Sequence, residues 1–278
     1  MMRAGVVVRT DIEEPVIFSK RIVRLLQEHN VKVYLEEDVL KKFMGEFRDV
    51  QPLEFVREKL DFLIVIGGDG TLLRTLQNFK NTPPTLLTIR MGRYGFLMEA
   101  EPEEAEDYIL SFILGKYSLR LRSRIIAEFK GKMLPPVLNE YAIMAEPGKM
   151  VKIKVERGKE EIYTVSCDGI LVSTTSGSTA YALSAGGPIV DEHLDTIIIV
   201  PLNPFHLHVR PVVLPINTTV KVELVGGRYG ATVFADGIEV TLLNVGDAIN
   251  VKFYDKVKFV KRNKKYYARI NRRMSIDP

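Results

Sequence analysis

The hydrophobic and polar positions of this chain change period once. Up to about residue 117, apolar runs of strand length alternate with segments of helical spacing. Ala4 to Val8 reads as a first strand. Val16 to Asn30 then carries apolar residues at Val16, Ile17, Ile22, Val23, Leu25 and Leu26, a helical stripe that stops at His29-Asn30. Val31 to Leu35 alternates as a second strand, and the mixed, charged stretch Glu36 to Val56 predicts a helix and a loop without legible chemistry. Phe62 to Ile66 is a continuous apolar run, a buried third strand, with a helix expected from Leu72 to Phe79. Thr85 to Ile89 predicts a fourth strand, and helical spacing returns from Pro102 to Leu114. This alternation implies an α/β domain over residues 1–117 built on a parallel sheet. Glu99, Glu101, Glu103, Glu104, Glu106 and Asp107 read as a helix N-terminus with a solvated face.

From Ser118 the period falls to two. Short strands are expected at Leu119 to Glu128, Val151 to Glu156, Glu161 to Ser166, Gly169 to Ser173, Thr196 to Val200, Val220 to Val225, Thr232 to Ala235 and Ile249 to Phe253. Turns such as Glu146-Pro147-Gly148, Gly226-Gly227 and Asp236-Gly237 separate them, so a β-rich domain is predicted over 118–262. The tail, 263–278, is basic through Lys264, Lys265, Arg269, Arg272 and Arg273. It reads either as a solvated surface segment or as one that packs back on the first domain.

Composition narrows the classes. The 278 residues carry 39 Lys+Arg against 35 Asp+Glu, a net charge of +4. That balance suits a polyanionic small molecule and does not argue for nucleic acid. The single cysteine, Cys167, excludes an internal disulfide framework or a cysteine zinc cluster and fits a reducing cytoplasm. No apolar run is long enough to span a bilayer, and the opening residues do not read as a signal peptide.

Three stretches carry chemistry. After the third strand comes Gly67-Gly68-Asp69-Gly70-Thr71, with Arg74 one helical turn beyond Gly70. A strand that ends in glycines before a helix is where an α/β sheet receives its ligand, and the helix amides favour an anion. A carboxylate there repels phosphate, so Asp69 reads as a base that takes a proton from a hydroxyl, as a group that holds a cation, or as a plain helix N-cap. Met91-Gly92-Arg93-Tyr94-Gly95 forms a second glycine turn. Asn139-Glu140, after the rigid Pro135-Pro136, offers a planar donor and acceptor followed by two acceptors, suited to a purine edge and a ribose diol. Adjacent strand residues face opposite ways, so both serve one ligand only where a strand ends or distorts. The last stretch, Asp168 to Pro188, passes through small, mostly hydroxylated residues (Ser173 to Thr179) into Ala180, Tyr181 and Ser184. Such a surface lets a flat ring lie against backbone. The nucleophile-elbow pattern of a hydrolase is absent from it. His206 and His208, spaced two apart, read as ordinary loop residues rather than metal ligands.

Gly67 to Thr71, Asn139-Glu140 and Asp168 to Pro188, in this order, resemble the NAD kinases, and the resemblance runs over nearly the whole chain. It implies phosphorylation of the adenosine-ribose 2′-hydroxyl of NAD by ATP or inorganic polyphosphate, with Mg²⁺ carried on the phosphates and no protein metal site. By position, Asp69 matches the general base, and Gly67, Gly68, Gly70 and Thr71 match the phosphate-facing turn. Arg74 matches a contact to substrate phosphate, and Asn139 and Glu140 match the adenosine-holding pair. Ser176, Thr179, Ala180 and Tyr181 match the adenine pocket; Asp168, Ser184, Lys149 and Asn203 match further dinucleotide contacts. A homodimer or homotetramer in the cytoplasm is implied as well. Two positions depart from the usual pattern: Phe205 stands where a histidine often follows the proline, and Ile238 where glutamine often follows Asp-Gly. The alternatives are a lipid or other small-alcohol kinase of the same broader group and a non-catalytic NAD(P)-sensing module.

Overall fold

The computed structural model describes residues 1–43, 45–47, 49–55, 59–92, 95–262 and 266–274, the side chains of 272 and 273 excepted. Lys264 and Lys265 of the basic tail, and Arg93 and Tyr94 of the second glycine turn, lie outside the described residues. The chain divides into two compact units, Met1–Leu121 with Val257–Pro278, and Arg122–Lys256.

The first unit alternates β1 (Arg3–Val8), α1 (Glu13–Glu28), β2 (Lys32–Leu35), α2 (Glu37–Lys42), β3 (Gln51–Pro52), β4 (Phe62–Gly67), α3 (Asp69–Gln77), β5 (Thr85–Arg90) and α4 (Ala105–Ile113). Its parallel strands lie in the order β3-β2-β1-β4-β5. The apolar run of β4 is buried at every position because neighbours cover both faces. Val16, Ile22, Val23 and Leu26 of α1 and Tyr108, Ile109 and Phe112 of α4 complete that core. The strand order reverses between β1 and β4. In doubly wound sheets this switch point opens a crevice beyond the carboxyl ends of the strands, where ligands bind.

Glu101 and Glu104 form a reciprocal capping box ahead of α4, as an acidic helix start should. Glu99 departs from the solvated face expected for it. It is fully buried and pairs with Arg120 at 3.0 Å, because its backbone has already turned inward to bond Thr88.

The second unit is antiparallel. Its strands are β6 (Ser118–Phe129), β7 (Lys132–Met133), β8 (Glu140–Ala145), β9 (Val151–Arg157), β10 (Glu160–Cys167), β11 (Gly169–Thr174), β12 (Thr196–Leu202), β13 (Val212–Pro215), β14 (Val220–Gly226), β15 (Ala231–Ala235), β16 (Ile238–Leu243) and β17 (Ala248–Lys261). One sheet runs β13-β12-β11-β8-β15-β16; β10, β9, β14 and the start of β17 pair in the other. Ile153 and Val155 of one sheet and Ile143, Val172 and Ile199 of the other share a core. β11 and β12 are buried on both faces, since Leu171, Ile198 and Val200 point away from that core and pack under Ala182 of the short helix α5 (Tyr181–Ser184).

The α/β-plus-β-rich class expected from the pattern is the one observed. The units divide at 121 and 256, where composition alone suggested 117 and 262, because both divisions fall inside long strands: the end of β17 pairs with β5 through Phe259 and Leu86. The tail forms α6 (Tyr266–Met274) within the first unit, with Ile270 buried. Among the described residues no helix is long and apolar enough to cross a membrane.

Arg124, its side chain fully buried, donates to both carboxylate oxygens of Asp255 at 2.8 and 2.7 Å. A buried pair broken on one side leaves a charge without compensation. Arg124→Met is therefore expected to cost about 3–5 kcal/mol, and Arg124→Met with Asp255→Leu to recover most of it. Urea denaturation of the single and double variants checks this; equal losses in both would refute it.

Candidate functional site

In the first unit, α3 begins at Asp69, with Gly68 as its N-cap. The helix thus starts three residues earlier than the apolar spacing indicated, and Gly70 and Thr71 form its first turn. Asp69 is not the cap: its side chain makes no capping bond. Its carboxylate instead accepts the Phe96 N–H at 2.8 Å on Oδ2 and the Leu97 N–H at 3.0 Å on Oδ1. The residues after the second glycine turn therefore aim this carboxylate. Gly95 makes the approach feasible, because a Cβ there would lie 2.2 Å from Asp69 Oδ1.

The glycines before and after Asp69 serve different ends. A Cβ on Gly67 would lie 2.6 Å from Thr71 Oγ1, so packing requires that glycine. A Cβ on Gly68 or Gly70 would meet nothing within 4 Å, and Gly68 sits at an ordinary extended φ of −118°. Neither the fold nor the backbone demands glycine at those two positions. What they leave is an open approach to the N-terminal amides of a nine-residue helix.

Arg74 is exposed on α3 and lines a cleft with Thr10, Glu36, Asp38 and Phe55. Glu36 accepts the Val8 N–H at 3.2 Å, and burial raises its carboxyl above the ordinary range. Arg9, just past β1, donates to Asp11 and lies beside Gly67 and Gly92. Glu36 and Arg9 follow strands without a motif, so the sequence did not mark them. Their position at the carboxyl ends of β2 and β1 does.

In the second unit, Asn139 ends the approach to β8 and Glu140 opens it, so the strand begins at the pair. Both are buried, and among the described residues Asn139 Oδ1 and Glu140 Oε2 have no hydrogen-bond partner. Buried polar atoms are normally satisfied, so two adjacent ones left open mark a candidate binding surface. The residue that holds them is Asp236, which the sequence marked only as a turn. Asp236 (φ 44°) and Gly237 (φ 84°) make the tight hairpin between β15 and β16. The Asp236 carboxylate turns inward and accepts the N–H groups of Leu138, Asn139 and Glu140 at 2.8, 2.8 and 3.1 Å. Burial pushes Asp236 up to about 6 against those amides. Burial, with Asp236 beside it, pushes the Glu140 carboxyl up to about 8.

The hydroxyl-rich stretch lies against the same backbone. Thr174 N–H and Ser173 Oγ donate to the Asn139 carbonyl at 2.8 and 3.1 Å. Gly177 lets the turn pass, since a Cβ there would lie 2.3 Å from that carbonyl oxygen. Ser176 and Thr179 are buried in a 3₁₀ turn, Arg122 donates to Ser176 Oγ at 3.3 Å, and Ala180 leads to the exposed Tyr181 and Ser184. Asp168 and Asn203 come together, Asn203 Nδ2 donating to Asp168 Oδ2 at 2.9 Å from a left-handed backbone. Lys149 stays apart on an exposed loop, its ammonium over the Tyr229 ring. Phe205 is exposed and packs edge-on against His206, whose ring stacks on His208; Ile238 is an exposed start to β16. Among the described residues, no group of three or more His, Cys, Asp or Glu side chains is placed to hold a metal.

Comparison with known proteins places these features in one family. The ATP-NAD kinase N-terminal domain matches residues 4–117 and the ATP-NAD kinase C-terminal domain matches residues 138–262. A NAD kinase from Thermococcus kodakarensis is 37% identical over 273 residues, covering 96% of this chain and 96% of the relative. One from Methanothermobacter thermautotrophicus is 31% identical over 279 residues, covering 99% and 96%. The crystal structure of an NAD kinase from Archaeoglobus fulgidus in complex with ATP matches with a TM-score of 0.80 at 30% identity, covering 99% of this chain and 100% of that one. Yeast NADH kinase complexed with NADH shares the fold at a TM-score of 0.91 and 20% identity, covering 100% and 88%.

Glu140 gives the free protein a defined pH dependence. Its folded value of about 8 lies above the ordinary 4.5, so the folded chain keeps a proton that the unfolded chain has lost. Stability from this group is complete below about 4.5 and is lost as pH rises through about 8. Glu140→Gln is expected to gain on the wild type across that window, read from urea midpoints at several pH values. A difference independent of pH would refute the assignment.

Proposed function

The chain belongs to the NAD kinase family and is a phosphotransferase of that class, and from that premise we propose that it phosphorylates the 2′-hydroxyl of the adenosine ribose of NAD, with ATP or inorganic polyphosphate as donor. The observation that carries the reading is the Asp69 carboxylate, held on both oxygens by backbone amides beside two glycines that the fold itself does not need.

Asp69 takes the proton from the 2′-hydroxyl as that oxygen bonds the terminal phosphorus; the bond from phosphorus to the bridging oxygen breaks, and ADP or the shortened polyphosphate leaves. A carboxylate fixed by two N–H donors keeps its remaining lone pairs directed outward without reorganising. The amides opening α3, reached past Gly68 and Gly70, and the Arg74 guanidinium attract the phosphates, with Thr71 and Gly67 shaping the turn. Asn139 and Glu140 hold adenosine through the two atoms the chain leaves open. Ser176, Thr179, Ala180 and Tyr181 border the adenine, while Asp168, Asn203, Ser184 and Lys149 contact the rest of the dinucleotide. A divalent cation such as Mg²⁺, carried by the donor phosphates, supplies charge neutralisation. The family resemblance extends the proposal to a homodimer or homotetramer in the cytoplasm, where the buried Cys167 stays reduced.

NADP formation from NAD with Mg²⁺ and either ATP or polyphosphate tests the reaction and the donor together. Dinucleotide binding without product would replace the kinase by a sensing module. Asp69→Asn is expected to lower kcat by about 10²-fold or more with NAD binding retained, the loss typical of a positioned base; near-normal turnover would remove Asp69 from that role. Gly95→Ala, which drives a methyl into the Asp69 carboxylate, is expected to lower kcat without touching the Asn139-Glu140 surface. A KM for NAD that rises while kcat stays constant would contradict it.

A further inference from the structure

We propose that Arg269, on the C-terminal helix α6, is a positioning residue for Asp69, holding from behind the Phe96–Leu97 peptide whose N–H holds the Asp69 carboxylate in front. The inference rests on the reading of Asp69 as the base.

Residues 95–99 lie outside any strand or helix, so side chains set the orientation of their peptide groups. On one side, the Phe96 and Leu97 N–H groups donate to Asp69. On the other, Arg269 NH1 donates to the Phe96 carbonyl at 3.2 Å and the Met98 carbonyl at 3.4 Å. The Leu97 carbonyl between them accepts from the buried Thr88 hydroxyl on β5 at 3.1 Å. The chain of contacts is continuous through the Phe96–Leu97 peptide: guanidinium to the Phe96 carbonyl, Leu97 amide to the carboxylate. A cation on the carbonyl side polarises that peptide toward stronger donation, and such chains reinforce one another. The location of Arg269 is itself held. Ile270 beside it is buried, and Arg269 NH2 lies 3.9 Å from the fully buried Glu99. Arg269 thus reaches past the solvated role that a basic tail suggests, to a segment some 170 residues earlier in the chain. Without it, the Phe96 and Met98 carbonyls lose the guanidinium that bridges them. The peptide planes then turn, and the carboxylate loses its aim. A misplacement of about 1 Å in a reacting group costs up to about 10²-fold in rate.

The test is a double-mutant cycle on the full chain, measured as NADP formation with NAD, ATP and Mg²⁺. Arg269→Met keeps the aliphatic stem and helical propensity while removing the donors. It is expected to lower kcat about tenfold with KM for NAD changed less than about twofold, a positional loss rather than a binding one. Arg269→Lys should recover part of the loss. Arg269→Met with Asp69→Asn should be no slower than Asp69→Asn alone, because the first change acts through the second residue. Wild-type kcat in Arg269→Met, or losses that multiply in the double variant, would overturn the proposal. If Arg269→Met fails to melt cooperatively, the same cycle is run with Arg269→Lys, where about a threefold loss is expected and an unchanged kcat overturns the proposal. Near-normal turnover of Asp69→Asn would instead remove the premise, so the two failures are told apart.

Discussion

A carboxylate taken out of water must recover in hydrogen bonds what it loses in hydration, and in this protein that demand ties distant segments together. Asp69 accepts the amides of Phe96 and Leu97, Asp236 the amides of three successive residues, and Glu99 a guanidinium and a backbone N–H. Most of these bonds have a stretch without regular structure on at least one side: residues 96–97 for Asp69, 138–139 for Asp236, and Glu99 itself. Loops held this way keep a fixed shape although no ladder runs through them.

The anchoring works in two ways. Asp69 accepts from the 96–97 amides with both oxygens, which fixes the orientation of its carboxylate. Glu140 and Asn139 are the reverse case: their backbone is fully engaged by Asp236 and by Thr174, while Asn139 Oδ1 and Glu140 Oε2 have no partner among the described residues. Rigid backbone with unsatisfied side chains is what a preorganised recognition surface needs, since binding then orders little that was loose. The upward shift of the Glu140 carboxyl follows from the same arrangement, a carboxyl held dry beside a second carboxyl group.

The glycines divide along the same line. Gly67, Gly95 and Gly177 are set by close approach within the chain, to Thr71, Asp69 and the Asn139 carbonyl respectively. Gly68 and Gly70 face open space. A run of glycines that looks uniform in the sequence is thus part close packing and part open space. The order β3-β2-β1-β4-β5 puts that open space beside the switch point between β1 and β4.

Periodicity was enough to read the two architectures and the strand ahead of the glycines, because an apolar run or an alternating one states its own burial. Local motifs also marked Asp69, the Asn139-Glu140 pair and the hydroxyl-rich stretch, since small residues and lone carboxylates there serve no evident folding need. What no local pattern held was the partner of each group. Asp236 appeared only as half of a hairpin turn, Glu99 as part of a solvated acidic run, and Arg269 as one charge in a basic tail. Their roles depend on which backbone amides and carbonyls lie opposite them after folding. Those contacts span 96 to 98 residues for Asp236, 21 residues for Glu99 with Arg120, and 171 to 173 residues for Arg269. Hydrogen bonding is directional and short in range, so only the tertiary structure could decide them.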